Sequence, residues 1–195
     1  PGSAAAAGPP SIPSPRATAG QAIYLAETSS DLRDHREALK RDLMQHGLRV
    51  LPDTTLPLVA DEVSAAVSRC LGESRLSIHL VGRHYGIVPE GGQQSMVELQ
   101  HELAAAHSLA APLARLIWIP AELQAADARQ QQVLERLRLD PRAGAQADLL
   151  ETYFEDFRTT LQTWLKRPTS PAPVSASTAP ASRPQGDVEP QRLYL

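Results

Sequence analysis

Apolar and polar positions alternate along this chain in two periods, and the switching between them predicts its elements. The run Ala22-Ile23-Tyr24-Leu25-Ala26 is short and continuously apolar, as a strand covered on both faces is. A polar turn follows, Glu27-Thr28-Ser29-Ser30-Asp31, then a charged helix, Gly47 and a second strand, Leu48-Arg49-Val50-Leu51-Pro52. Asp61 is placed to cap a helix whose apolar residues Val63, Ala66, Val67, Cys70 and Leu71 fall on one face, with Gly72 as its stop. Leu76-Ser77-Ile78-His79-Leu80-Val81 reads as a third strand. It is followed by a long loop, Gly82 to Gln94, with Pro89 and the pair Gly91-Gly92. Ser95 opens a helix expected to turn Leu99, Leu103 and Ala106 inward. Leu116-Ile117-Trp118-Ile119 is a fourth strand stopped by Pro120, and Leu134 and Leu137 mark a helix ending before Pro141. Asp148-Leu149-Leu150 is a short fifth strand. Thr152 and Glu155 have capping-box spacing ahead of a last helix that buries Phe154, Phe157, Leu161, Trp164 and Leu165.

Five short apolar strands alternating with amphipathic helices predict an α/β fold, a parallel sheet covered on both faces with right-handed crossovers. The flavodoxin-like strand order 2-1-3-4-5 is the expectation. In such sheets ligands sit beyond the carboxyl ends of the strands, so the loops after strands one and three become the place to look for function.

Composition narrows this further. The chain has 195 residues with a formal net charge of −3, too balanced for bulk attraction to nucleic acid or a membrane surface. Hydrophobic residues make up 42% but aromatic ones only 4%, so aliphatic residues and alanine must fill the core. No run approaches the ~20 apolar residues of a membrane span, and no basic-then-apolar leader opens the sequence. The single cysteine, Cys70, fits a reducing cytoplasm and falls on an apolar helix face. The 17 prolines crowd both ends. Residues 1–20 read as a flexible lead-in with a tag remnant, and residues 168–190, rich in Pro, Ser, Ala and Thr, as a linker. The end, Gln191-Arg192-Leu193-Tyr194-Leu195, echoes Gln21-Ala22-Ile23-Tyr24-Leu25, which suggests the first strand of a following domain.

Several chemistries are excluded by their missing motifs. There is no G-x-G-x-x-G after the first strand, no P-loop and no G-x-S-x-G elbow. The third strand does not end in the Asp of a receiver domain, and Thr28-Ser29-Ser30 lacks the glycine of a flavodoxin phosphate loop. Six scattered histidines give no metal-ligand spacing.

Residues 21–167 resemble the Toll/interleukin receptor (TIR) domain family, in the form found in bacterial conflict and anti-phage proteins. The resemblance rests on the polar loop Glu27–Asp31 with its arginine-rich helix, on a loop with Asp53, Leu56 and Pro57 after the second strand, and on Arg83-His84-Tyr85-Gly86 followed by Ser95 and Glu98-Leu99. It implies a cytoplasmic effector or signalling domain that assembles with other TIR domains, the loop 53–60 completing a neighbour's site. Enzymatic members cleave NAD between nicotinamide and ribose, with a glutamate on the helix after the third strand facing the oxocarbenium-like cation; NAD would be the substrate, with no cofactor and no metal. By that resemblance Glu98 and Glu102 are the catalytic candidates, one helical turn apart. Family members often carry an aromatic residue four positions earlier, where this chain has Gln94 and Glu98; aligning the family glutamate with Gln100 instead implies a non-catalytic domain. Glu27, Thr28, Ser29, Arg83 and Tyr85 are the candidate nucleotide-binding residues.

Each has a plainer reading. Ser95-x-x-Glu98 is a capping box, Glu102 is a charge on a helix surface, Ser30 or Asp31 caps a helix, and Tyr85 packs its loop. Arg33, Arg36 and Arg41 with Asp34, Glu37 and Asp42 form a solvated helix face. The alternatives to an enzyme are a non-catalytic adaptor for homotypic contact and a sensor of a cyclic or ADP-ribose nucleotide.

Overall fold

The computed structural model describes residues 22–139 and 147–166. Within them the chain folds as a five-stranded, all-parallel sheet in the order 2-1-3-4-5, the flavodoxin-like α/β arrangement that the alternating pattern predicts. The strands are β1 (Ala22–Leu25), β2 (Val50–Leu51), β3 (Ser74–Leu80), β4 (Ala114–Pro120) and β5 (Ala147–Thr152). The helices are α1 (Arg33–Gln45), preceded by a 3-10 turn over Ser30–Leu32, then α2 (Ala60–Gly72), α3 (Met96–Ala110), α4 (Ala128–Leu139) and α5 (Phe154–Leu165). The expected lead-in, linker and following strand, and the stop at Pro141, lie outside the described residues.

Side chains alternate across each strand, so successive residues feed opposite layers. Ile23 and Leu25, Leu76, Ile78 and Leu80, and Leu116 and Trp118 pack beneath α1 and α5 with Leu39, Leu43, Phe157 and Leu161. On the other face, Tyr24 and Ala26 meet Val63, Val67 and Leu71 of α2, while Val81, Ile117 and Ile119 meet Val133, Leu134 and Leu137 of α4. α3 lies between α2 and α4 and contributes to both of these clusters, through Met96 and Ala104 to the first and Val97 to the second. No helix among the described residues is long and apolar enough to cross a membrane.

The departures from pattern are local. β2 is two residues long; β5 is six, because it pairs along β4 from Arg115 to Pro120. Asp61 does not cap α2, which starts one residue earlier behind Val59. The Thr152–Glu155 capping box does not form either. Thr152 is the last residue of β5, Tyr153 takes the cap position, and Glu155 pairs with Arg158.

α3 is the main correction. Leu99 and Leu103 are only partly buried and Ala106 is exposed, whereas Glu98, Gln100, His101 and Ser108 are buried. A polar layer lies under this helix: Tyr24, Ser77, His79 and Arg115 of the sheet share the face that Gln100 and His101 cover. The polar side chains α3 turns inward complement these strand residues, and its leucines are displaced toward α2.

His79 is 1% exposed, its ring 5.6 Å from that of His101, and neither of its ring nitrogens has a hydrogen-bond partner among the described residues. Burial, reinforced by the charges of His101 and Arg115, holds its pKa well below the usual histidine value. The folded state thus resists a proton that the unfolded chain accepts below about pH 6.5. Its contribution to stability is present above that pH and falls as the pH drops. Between pH 7 and 5 this residue is expected to make stability fall with the pH. His79→Leu should flatten the pH dependence of denaturant unfolding over that window; an unchanged slope would refute the assignment.

Candidate functional site

The loops that trail β1 and β3 meet at the carboxyl edge of the sheet. The Thr28 hydroxyl donates to the Leu80 carbonyl at 2.8 Å, and the Arg83 amide donates to Asp31 Oδ2 at 2.8 Å. Asp31 therefore bridges to the β3 loop and makes no side-chain cap of its own helix. Ser29 is buried against Gly86, and Ser29 Oγ and Asp31 Oδ1 are buried without a hydrogen-bond partner among the described residues.

Gly82 permits this approach. A Cβ placed there would lie 2.3 Å from Asp31 Oδ2 and 2.8 Å from its carboxyl carbon, inside contact distance. Gly82→Ala should expel the Asp31 carboxylate, strand the Arg83 amide and destabilise the fold by about 2 kcal/mol. Combining it with Asp31→Ala should lose much less than the sum of the two single changes, since both act on one contact. Additive losses in denaturant melts would contradict the close approach.

The residue that faces the end of β1 is Gln100. Its Oε1 accepts from the Tyr24 hydroxyl at 2.7 Å and the Glu27 amide at 2.9 Å, and its Nε2 donates to the carbonyls of Glu27 and Met96. The side chain is fully buried and both its amide ends are committed. Glu27, beside it, accepts from Arg36 at 2.7 Å. Arg36 is not on a solvated face: it is 5% exposed and also donates to the carbonyls of Leu25 and Ala26, closing the last turn of β1.

Glu98 faces the other way, toward α4. Its amide donates to Ser95 Oγ at 3.2 Å, so Ser95 caps α3, but its carboxylate does not complete the capping box. The Tyr85 hydroxyl stands in between: it accepts from the Ser95 amide at 3.1 Å and donates to Glu98 Oε2 at 2.7 Å. The other oxygen, Oε1, is paired with the Arg136 guanidinium of α4. Tyr85 also carries the Arg129 guanidinium over its ring, 4.5 Å from the centroid. Desolvation, with the bond to Glu98, raises its phenol pKa.

Beside Glu98 a cavity of about 570 Å³ runs between α3 and α4. Val81, Val97, Ala105, Val133 and Leu137 make its walls apolar, and Glu98, Glu102, His101 and Arg136 supply its polar groups. Its size is that of a small-molecule site. Glu102, one turn on from Glu98, is exposed at the cavity's edge. Thus Glu98, Glu102 and Tyr85 come together, whereas Glu27, Thr28 and Ser29 are grouped around Gln100 and the β1–β3 junction. Arg83 is exposed on the loop between these two groups.

A second hollow, of about 330 Å³, lies under the loop after β2 and is lined by Asp53, Leu56, Pro57 and Cys70 among others. Cys70 is a free thiol, partly buried against the α2 side of the core. Among the described residues no cluster of three His, Cys, Asp or Glu side chains could hold a metal ion.

Sequence reasoning missed Arg36 and Arg136. A signal for Arg36 was present in its position, three residues before Leu39 and seven before Leu43 on the buried stripe of α1. Nothing in the pattern marks Arg136, whose side chain is 60% exposed and whose partner lies 38 residues away.

No protein-family model, curated protein or solved structure matches the chain.

Proposed function

We propose that this chain is a TIR-like effector domain of a bacterial defence protein that cleaves NAD at the nicotinamide–ribose bond when copies assemble, with Glu98 as the carboxylate beside the ribose. One observation carries the reading: a carboxylate that is 6% exposed forms part of the wall of a cavity, between α3 and α4, large enough for a nucleotide's nicotinamide–ribose half. The sequence resemblance supplies the reaction.

In that reaction the C1′–N bond breaks and its electron pair returns to the pyridinium nitrogen, leaving neutral nicotinamide. The ribosyl cation is stabilised by the Glu98 carboxylate until water adds at C1′ and gives up a proton, yielding ADP-ribose. Tyr85, donating to Oε2, fixes the carboxylate's orientation. Arg83, exposed on the same loop, is the cation available to the pyrophosphate. The Arg136 pair neutralises Glu98 in the isolated chain, and the domain is therefore expected to be nearly inactive until Arg136 is drawn away. The domain works in a reducing cytoplasm, where Cys70 stays a thiol.

A second reading, the non-catalytic adaptor, is favoured by a separate feature. Leu58 and Val59, after β2, and Ile87, after β3, are exposed on loops joined by the bridge between Val59 and Glu90. Such an apolar edge suits contact with another domain.

The test is nicotinamide release from NAD by the purified chain, free and tethered in tandem. The enzyme reading expects little turnover from the free chain and at least about a hundredfold more on tethering, the scale of one well-placed electrostatic contribution. Absence of release in both forms, with the fold intact, ends the enzyme reading.

A further inference from the structure

We propose that the cavity between α3 and α4 is a receptor for a small organic cation with a flat apolar body, an amidinium or guanidinium, which takes at Glu98 the place held by the guanidinium of Arg136. The inference goes beyond NAD cleavage and stands on the cavity alone.

The charges are unequal. Two carboxylates, Glu98 and Glu102, border the hollow one helical turn apart, against a single arginine among the described lining residues. An anion entering this space would meet both acids; a cation would be welcomed by both. Burial is unequal too. The Glu98 side chain is 6% exposed and that of Arg136 is 60% exposed. With its partner gone, Glu98 keeps one oxygen on Tyr85 and turns the other to the hollow, a largely apolar space where a carboxylate is best matched by a cation. Arg136 has no such need, since its guanidinium can return to solvent with little loss of hydration. The pair therefore behaves as a buried receptor group filled by an exposed, replaceable ligand from the same chain.

The receptor half is held in place without Arg136. Tyr85 donates to Oε2 and is itself fixed by the Ser95 amide and by Arg129 over its ring. One carboxylate oxygen is thereby oriented by the fold and the other is left for the cation. The remaining walls, Val81, Val97, Val133 and Leu137, offer apolar surface to whatever carries the charge. His101 lines the same wall. A guanidinium or amidinium matches a carboxylate in plane and spacing, as the arginine does now.

Benzamidine and its neutral isostere benzamide test this by calorimetric titration of the full chain. Benzamidine should bind the wild type detectably better than benzamide. Arg136→Gln should strengthen benzamidine binding about tenfold by removing the internal competitor, and leave benzamide unchanged. Arg136→Lys, which keeps a cation near Glu98, should stay close to the wild type. Glu98→Gln should weaken benzamidine at least about tenfold in either background. Equal binding of the two compounds, or no gain in Arg136→Gln with the fold intact by circular dichroism, would overturn the proposal. Should Arg136→Gln not fold, the comparison of the two compounds on wild type and Glu98→Gln decides. Nicotinamide release from NAD, read on the same samples, reports on cleavage separately.

Discussion

Glu98→Gln should lower nicotinamide release by the tethered chain at least about a hundredfold, chiefly in kcat, while Glu102→Gln changes it only a few-fold. The contrast follows from where the two acids sit. Glu98 is buried and aimed by Tyr85, so in the proposed reaction its charge would act at low dielectric on a cation that develops only in the transition state. Glu102 is exposed at the cavity's edge, and water weakens its effect at the ribose. A glutamine at position 98 keeps the shape and can still accept from the Tyr85 hydroxyl, so assembly and melting temperature should hold. A loss confined to KM would mean that Glu98 only helps hold the substrate, since an interaction made solely in the transition state shows in kcat. Equal losses in the two variants would place the chemistry elsewhere. In an adaptor, the Glu98→Gln/Glu102→Gln double variant would keep its biological output and its assembly.

Gln100→Leu should destabilise the fold by about 3 kcal/mol, more than any other single change considered for this site, and lower the melting temperature by roughly 6–12 °C for a chain of this size. Leucine is similar in volume and inherits the burial. It leaves the Tyr24 hydroxyl, the Glu27 amide and the Glu27 carbonyl without their partner. Each is in a buried or half-buried position where water cannot fully replace the amide, and stranded polar groups cost about 1–3 kcal/mol apiece. Differential scanning calorimetry reads the result. A shift under about 2 °C would mean that the end of β1 holds its shape without α3. The same network explains why this position carries an amide in this fold: it must accept from two donors and donate to two carbonyls, which an ionised carboxylate cannot do.

The order of elements was legible because each depends on neighbours close in sequence. The apolar runs of β1, β3 and β4, and the stripe Val63, Val67 and Leu71 on α2, carry their period openly. The site was half legible. Ser95 and Glu98 were marked by their spacing, yet the pattern could not say that the Tyr85 hydroxyl would enter the capping box and turn the carboxylate toward α4. Gln100 and Tyr24 are 76 residues apart, so their bond follows from the strand order and not from any local signal. Arg36 was misplaced for a related reason. In a helix that alternates acids and bases it has the look of a solvated charge, and only the carbonyls at the end of β1 make it an interior residue. The inward side chains of α3 were misassigned because polar and apolar residues are spread around the whole helix with no single apolar stripe, and the polar layer of Ser77, His79 and Arg115 beneath it decides which side faces in.

The central claim is that a nucleotide enters the hollow beside Glu98, between α3 and α4. Hydrogen–deuterium exchange of the Glu98→Gln chain with and without NAD tests it most directly, because the substrate then stays whole. The account predicts slower exchange over residues 81–85, 96–106 and 129–139. Protection confined to residues 27–32 or 53–60, with the α3–α4 segments unchanged at saturating NAD, would contradict it.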